Sequence, residues 1–243
     1  MDKIGIIDYG VGNLGSVQNA FRFCANPRPL ESLHLESSQL ESHATQSQNL
    51  QDSLLQSHIM RPFSLRIESK PENLKKYDKL LLPGVGAFGN AMEQLQKTHL
   101  LSAVIEFAKS GKYMLGICLG MQLLFEKSFE FGEHKGLGLI EGEIVGFKNI
   151  APLKVPHIGW NSCLFTQRGE SSPLLQGINN GSFFYFVHSF HIATQEKFIL
   201  AKCEYGYPFG AIVNKDNLFG IQPHPEKSHN VGLQLLKNFI NLH

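Results

Sequence analysis

One cysteine of this chain stands where a nucleophile would have to stand. Gly116-Ile117-Cys118-Leu119-Gly120 joins an apolar run to a helical one, the strand, turn and helix context of a nucleophile elbow with sulfur in place of oxygen. The flanking glycines permit a tight, strained turn that pushes the central side chain outward, and the start of the following helix favours a thiolate. A cysteine in an apolar stretch is more often plain core; the elbow reverses that reading. A thiol nucleophile needs a base, and the base an orienting partner. Gln222-Pro223-His224-Pro225-Glu226 supplies both. In an extended segment residues two apart share a side, so Glu226 reaches the His224 imidazole, fixes its tautomer and stabilises the imidazolium. With eleven histidines in the chain a chance His-x-Glu is expected, and only the cysteine elbow raises the pair to a candidate triad.

Attack by a thiolate on an acyl carbon leaves an oxyanion that needs two donors. The amide of Leu119, one residue past the cysteine, is the first. The turn Pro83-Gly84-Val85-Gly86 ends another apolar run and offers the amide of Val85 as the second, with glycines on both sides that let the peptide flip. Two segments, Gly10 to Gly15 and Gly84 to Gly89, also match the Gly-x-Gly-x-x-Gly pattern of dinucleotide sites. That fingerprint requires an acidic residue about twenty positions on, at the end of the next strand. After Gly10 the place falls in a low-complexity stretch, and after Gly84 the nearest candidate, Glu106, lies within a helix. A non-catalytic nucleotide-binding module is therefore the weaker reading.

These residues must be positioned by regular elements. Lys3 to Asp8 predicts a buried strand and Ser16 to about Phe23 a helix. Phe63, Leu65 and Ile67 alternate as a half-buried strand, and Lys79 to Leu82 predicts another. One helical pattern covers about Ala87 to Ser110, Tyr113 to Ile117 is a third apolar run, and Met121 to Glu126 opens the next helix. This βα alternation predicts an α/β domain with a parallel sheet covered by helices. Beyond Gly136 short strands dominate, at Glu143 to Phe147, Phe183 to Val187, Phe198 to Cys203, Gly210 to Val213 and Leu218 to Gln222, before a last helix from about Asn230 to Leu242. Between Pro27 and Pro62 the chain lacks Gly, Lys, Cys, Phe, Tyr and Trp, and Leu-Glu-Ser recurs at Leu30, Leu35 and Leu40. A spacing of five suits neither a helix face nor a strand face, so this is read as a low-complexity surface insertion in one domain spanning 1–243.

Composition excludes several classes. Lys plus Arg number 22 against 21 for Asp plus Glu in 243 residues, which leaves no field to recruit nucleic acid or an anionic membrane. The opening MDKIGIIDYG lacks the features of a secretory signal, and no long apolar run follows. Cys24, Cys118, Cys163 and Cys203 form no CxxC pair, so neither a disulfide scaffold nor a zinc site is expected, and a reducing cytoplasm is.

With DYGVGNLGS, LLLPGVGAFGNAM, LGICLGMQLLFEKS, KVPHIGWN, YFVHSF and QPHPEKS in this order, the chain resembles class I glutamine amidotransferases, and among them the glutaminase subunits of imidazole glycerol phosphate synthase. The resemblance covers nearly everything outside 27–62. It implies a flavodoxin-like α/β fold, a central largely parallel sheet with flanking helices plus a smaller strand-rich portion. It further implies L-glutamine as substrate, Cys118 as nucleophile, His224 as base and acid with Glu226 as its partner, and no cofactor or metal. By the same resemblance Gly84, Gly86, Gln122, His188 and Ser189 form the glutamine pocket, with the Val85 and Leu119 amides on the oxyanion. Asn13, Trp160, Tyr185 and Lys227 fall near the partner, a (β/α)8 synthase barrel that receives the ammonia in a heterodimer. A related acceptor, in surface-polysaccharide sugar amination, is the alternative. Trp160 and Tyr185 also have a plain role as packing aromatics, and Lys227 as a solvated charge.

Overall fold

Apolar residues alternate along the first strands so that successive side chains feed opposite faces of a sheet, and helices close both faces. The computed structural model describes residues 1–25 and 61–243. The insertion expected over 27–62 therefore lies outside the described residues, except for Arg61 and Pro62. Strands β1 (Asp2–Ile7), β2 (Phe63–Glu68), β3 (Lys79–Gly84) and β4 (Tyr113–Cys118) are parallel neighbours in the order β2-β1-β3-β4. Ile4, Ile6, Leu81, Leu115 and Ile117 pack on one face against Val17 and Phe21 of helix α1 (Leu14–Ala25). Ile7, Leu80, Leu82 and Met114 point the other way. Each such side chain, fully buried, contributes about 1.5–3 kcal/mol. β2 is the sheet edge, which is why Ile67 stays 41% exposed where alternation predicts a buried position.

A short α2 (Pro71–Leu74) precedes β3. The single helix expected over about 87–110 is two, α3 (Phe88–Lys97) and α4 (Leu100–Lys109). The break has a local cause: Thr98 Oγ1 donates back to the carbonyls of Gln94 and Leu95, and His99 takes a left-handed conformation with φ 59°. After β4 the helix expected from Met121 to Glu126 is shorter and starts earlier, α5 (Leu119–Leu123). It stops because amides of the 137–140 segment take its last carbonyls, with Leu137 N–H on Leu123 O and Leu139 N–H on Leu124 O. The chain turns at once into β5 (Phe125–Ser128).

The later strands are β6 (His134–Lys135), β7 (Ile140–Gly146), β8 (His157–Phe165), β9 (Phe183–His188), β10 (Phe190–Ala193), β11 (Ile199–Tyr205), β12 (Tyr207–Lys215) and β13 (Leu218–Ile221). A single turn, α6 (Gln167–Glu170), follows β8, and α7 (His229–Asn241) ends the chain against α1. β13 returns to lie parallel to β4, and β12, β10 and β7 continue from it antiparallel. The strand-rich portion is thus continuous with the parallel half rather than set apart from it. β8, a nine-residue strand, was not predicted, because Pro156, Gly159 and Asn161 interrupt its pattern with turn-type residues.

Candidate active site

Three segments leave the carboxyl ends of adjacent strands β3, β4 and β13, the edge at which open α/β sheets bind ligands. Gly84 at the end of β3 is registered opposite Cys118 at the end of β4. Cys118 has φ 53° and ψ −113°, a strained conformation for a residue with a side chain, costing about 1–3 kcal/mol. The flanking glycines make the bend possible by close approach. A Cβ on Gly116 would lie 2.7 Å from backbone atoms of Gly120 and Met121, and one on Gly120 would fall on the carbonyl of Leu82. Leu119 opens α5 directly behind the sulfur.

His224 lies just beyond β13. Its Nδ1 is 2.7 Å from Glu226 Oε1, with the two side chains 5% and 2% exposed. The pair does not sit in an extended segment as predicted; Pro225–Lys227 is a single 3-10 turn. That turn is held by Lys227 N–H on His224 O and Ser228 N–H on Pro225 O, and it folds the carboxylate back onto the ring. Burial works against a charged imidazole here, but the neighbouring Cys118 sulfur and the Glu226 carboxylate outweigh it and raise His224 from 6.5 to about 9. With Nδ1 committed to Glu226, Nε2 is the ring nitrogen left free, and it has no hydrogen-bond partner among the described residues.

Sequence reasoning missed the groups that hold this arrangement. Ser228, fully buried, donates from Oγ to His224 O at 2.6 Å and accepts the Tyr185 N–H at 3.0 Å. His224 N–H donates to Tyr185 O at 2.8 Å. The His224 backbone is therefore pinned to β9 at both its amide and its carbonyl. Tyr9, buried near Cys118, donates to Pro83 O at 2.9 Å and sits 2.6 Å from where a Cβ on Gly84 would be. It fixes the upstream end of the turn bearing Val85, whereas Val85 is 43% exposed and Gly86, with φ 94°, has open space about its Cα. Gln222 places Nε2 3.6 Å from Cys118 Sγ. A signal for Gln222 existed, since it lies two residues before His224 on the same face of the chain; for Tyr9 there was none.

The remaining candidates divide. Gln122 is buried on α5 and its amino group donates to Phe190 O at 3.0 Å and to Gln222 Oε1 at 2.9 Å, which leaves its oxygen for a ligand. His188 Nδ1 donates to the same Phe190 carbonyl at 2.8 Å, so its Nε2 accepts, 3.0 Å from His157 Nδ1. Both nitrogens are used, and burial holds His188 down to about 3 and His157 to about 4, so both rings are neutral. A ligand contact at His188 then falls to its backbone groups, and Ser189 is half-buried beside it. Asn13, exposed, accepts the Ser16 N–H at 3.3 Å and so caps α1. Trp160 stacks on His229 with centroids 4.8 Å apart and meets Tyr185 edge-on at 6.0 Å, while Lys227 Nζ lies 5.7 Å over the Tyr185 ring. These form an exposed aromatic face just outside the His224 turn.

Comparison with known proteins identifies the family. Residues 40–242 match the family described as glutamine amidotransferase class-I. The chain is 62% identical to the imidazole glycerol phosphate synthase subunit HisH of Helicobacter hepaticus, across 99% of this chain and 98% of that one. It is 40% identical to the subunit of the same name from Methanocaldococcus jannaschii, across 98% and 99%. Among solved structures, PurLQS from Thermotoga maritima superposes with a TM-score of 0.65 over 99% of both chains at 15% identity, a likeness of fold alone. The chain belongs to the class I glutamine amidotransferases and, within them, to the family of imidazole glycerol phosphate synthase HisH subunits.

Proposed function

We propose that this chain hydrolyses the side-chain amide of L-glutamine to glutamate and ammonia, as the glutaminase subunit of imidazole glycerol phosphate synthase in histidine biosynthesis. The observation that carries the reading is the buried 2.7 Å contact of His224 Nδ1 with Glu226 Oε1 beside the strained, sulfur-bearing bend at Cys118. The Cys118 thiolate attacks the amide carbon, and the carbonyl π electrons move to oxygen, where the Leu119 and Val85 amides receive them. Imidazolium at His224 protonates the leaving nitrogen, the C–N bond breaks, and ammonia departs from a thioester. His224, now neutral, takes a proton from water as the hydroxide adds; collapse expels the thiolate and releases glutamate. Glu226 holds the ring and stabilises its charged form throughout.

The ammonia goes to a partner subunit, which we propose is a (β/α)8 barrel making imidazole glycerol phosphate and aminoimidazole carboxamide ribotide. The exposed face of Ile158, Trp160, Tyr185 and Lys227 supports docking there, since Ile158 is 58% and Trp160 44% exposed next to the His224 turn. The four thiols are unpaired, which suits the reducing cytoplasm where we place the reaction.

The test is glutamate release by the wild type and Cys118→Ala, each with and without the synthase barrel carrying its ligand. Weak turnover alone, strong turnover with the barrel, and no turnover in a variant that still binds the barrel are expected. A Cys118→Ala chain as active as the wild type contradicts the mechanism, and stimulation only by a sugar-aminating synthase contradicts the pathway.

A further inference from the structure

Removing a thiolate from water costs it the donors that water supplied, and Cys118 is only 7% exposed. His224, held in its charged form by the nearby sulfur and the Glu226 carboxylate, is the neighbour able to supply one of them. A second stands on the opposite arm of the same segment, because the carboxamide of Gln222, itself fully buried, reaches the sulfur at 3.6 Å. Which end of that carboxamide faces the sulfur is decided two bonds away. The carbonyl of Phe190 can only accept, so the group of Gln122 lying 3.0 Å from it is the amino group. The second N–H of that amino group points to Gln222 at 2.9 Å, where it requires an oxygen. The Gln222 amino group is thereby left facing Cys118. The His188 ring ends on the same Phe190 carbonyl, at 2.8 Å.

We infer that Gln222 is a catalytic residue, a fixed N–H donor to the Cys118 thiolate whose polarity is set by the chain Phe190 O, Gln122, Gln222. A carboxamide does not titrate in water, so this donor favours the sulfur anion without competing for the proton that His224 must carry. It serves twice in each turnover, before attack on the amide and when the sulfur leaves the tetrahedral adduct in thioester hydrolysis. The assignment rests on the glutaminase reading given above. The titratable groups facing the sulfur among the described residues are His224, with Glu226 behind it, and Tyr9 from the loop after β1.

The experiment is the pH dependence of Cys118 alkylation by iodoacetamide in the full chain without glutamine, read by mass on the Cys118 peptide, with glutamate release assayed in parallel. Gln222→Met keeps the length and removes the donor. Its curve moves to higher pH, and the rate at a fixed pH on the rising limb falls about tenfold, with kcat falling in step and KM little changed. Gln122→Leu, which lets the Gln222 carboxamide turn over, moves the curve the same way by less and keeps the question answerable if Gln222→Met folds poorly. Alkylation of either variant on the wild-type curve, with wild-type turnover intact, overturns the role of Gln222 and spares the glutaminase reading. A wild type that releases no glutamate with the barrel bound overturns that reading instead.

Discussion

His224 hangs its backbone amide on the carbonyl of Tyr185, 2.8 Å away, so the strand that presents Tyr185 to the outer aromatic face also carries the His224 imidazole. Ser228 closes the same ring of bonds from the other side, with its hydroxyl on His224 O and the Tyr185 amide on its oxygen. A movement of β9 is a movement of that imidazole.

Ser228→Ala removes both hydroxyl bonds in a fully buried position. The expected cost is about 1–3 kcal/mol of stability, seen as a lower denaturation midpoint, with kcat down roughly tenfold and KM little changed. A variant as stable and active as the wild type would show that the His224 turn is held by its other contacts.

The titration of His224 should depend on both partners. Its raised value of about 9 means that the protonated ring contributes stability in full below its ordinary 6.5, and that this contribution is lost as pH rises through about 9. Glu226→Gln and Cys118→Ala each lower the His224 midpoint in a histidine-selective NMR titration. Glu226→Gln also reduces kcat by about a thousandfold or more, since the ring loses its tautomer and its counter-charge. An unmoved midpoint in both variants rejects the coupling.

Gly120→Ala puts a methyl group on the Leu82 carbonyl, and backbone cannot give way there as a side chain can. A loss of about 3 kcal/mol or more is expected in chemical denaturation, with Cys118 no longer held in its bend. Stability within about 0.5 kcal/mol of the wild type would contradict the close approach of α5 to β3.

Trp160→Ala tests the aromatic face. If that face docks the barrel, binding weakens about 30-fold or more by calorimetry, because a Trp at the centre of an interface is the commonest kind of anchor. Glutaminase turnover without the barrel should stay near the wild-type level. Unchanged barrel affinity would place the interface elsewhere.

The bend at Cys118 and the contact of Glu226 with His224 were legible because each of their signals is local. A Gly-flanked cysteine between a strand and a helix, and a carboxylate two residues from a histidine, are readable without knowing what touches what. The parallel half of the sheet was legible for the same reason, since doubly buried strands such as Leu80 to Leu82 read as continuous apolar runs. What was not legible was set by distant contacts. Leu119–Leu123 stops where amides from residues 137–140 cap it, and Glu226 reaches His224 through a 3-10 turn that Ser228 secures. Gln222 reads as a polar residue in a strand end until the Phe190 carbonyl fixes which way its amide points.

The most direct measurement is the covalent adduct. Incubating the chain, bound to its barrel, with a glutamine analogue that carries an electrophile at the side-chain carbon should add one equivalent of mass. Peptide mapping should place it on Cys118, with loss of the adduct in Cys118→Ala and much slower formation in His224→Ala. An adduct on Cys24, Cys163 or Cys203, or none at all while glutamate is still released, would contradict a sulfur nucleophile at the bend between β4 and α5.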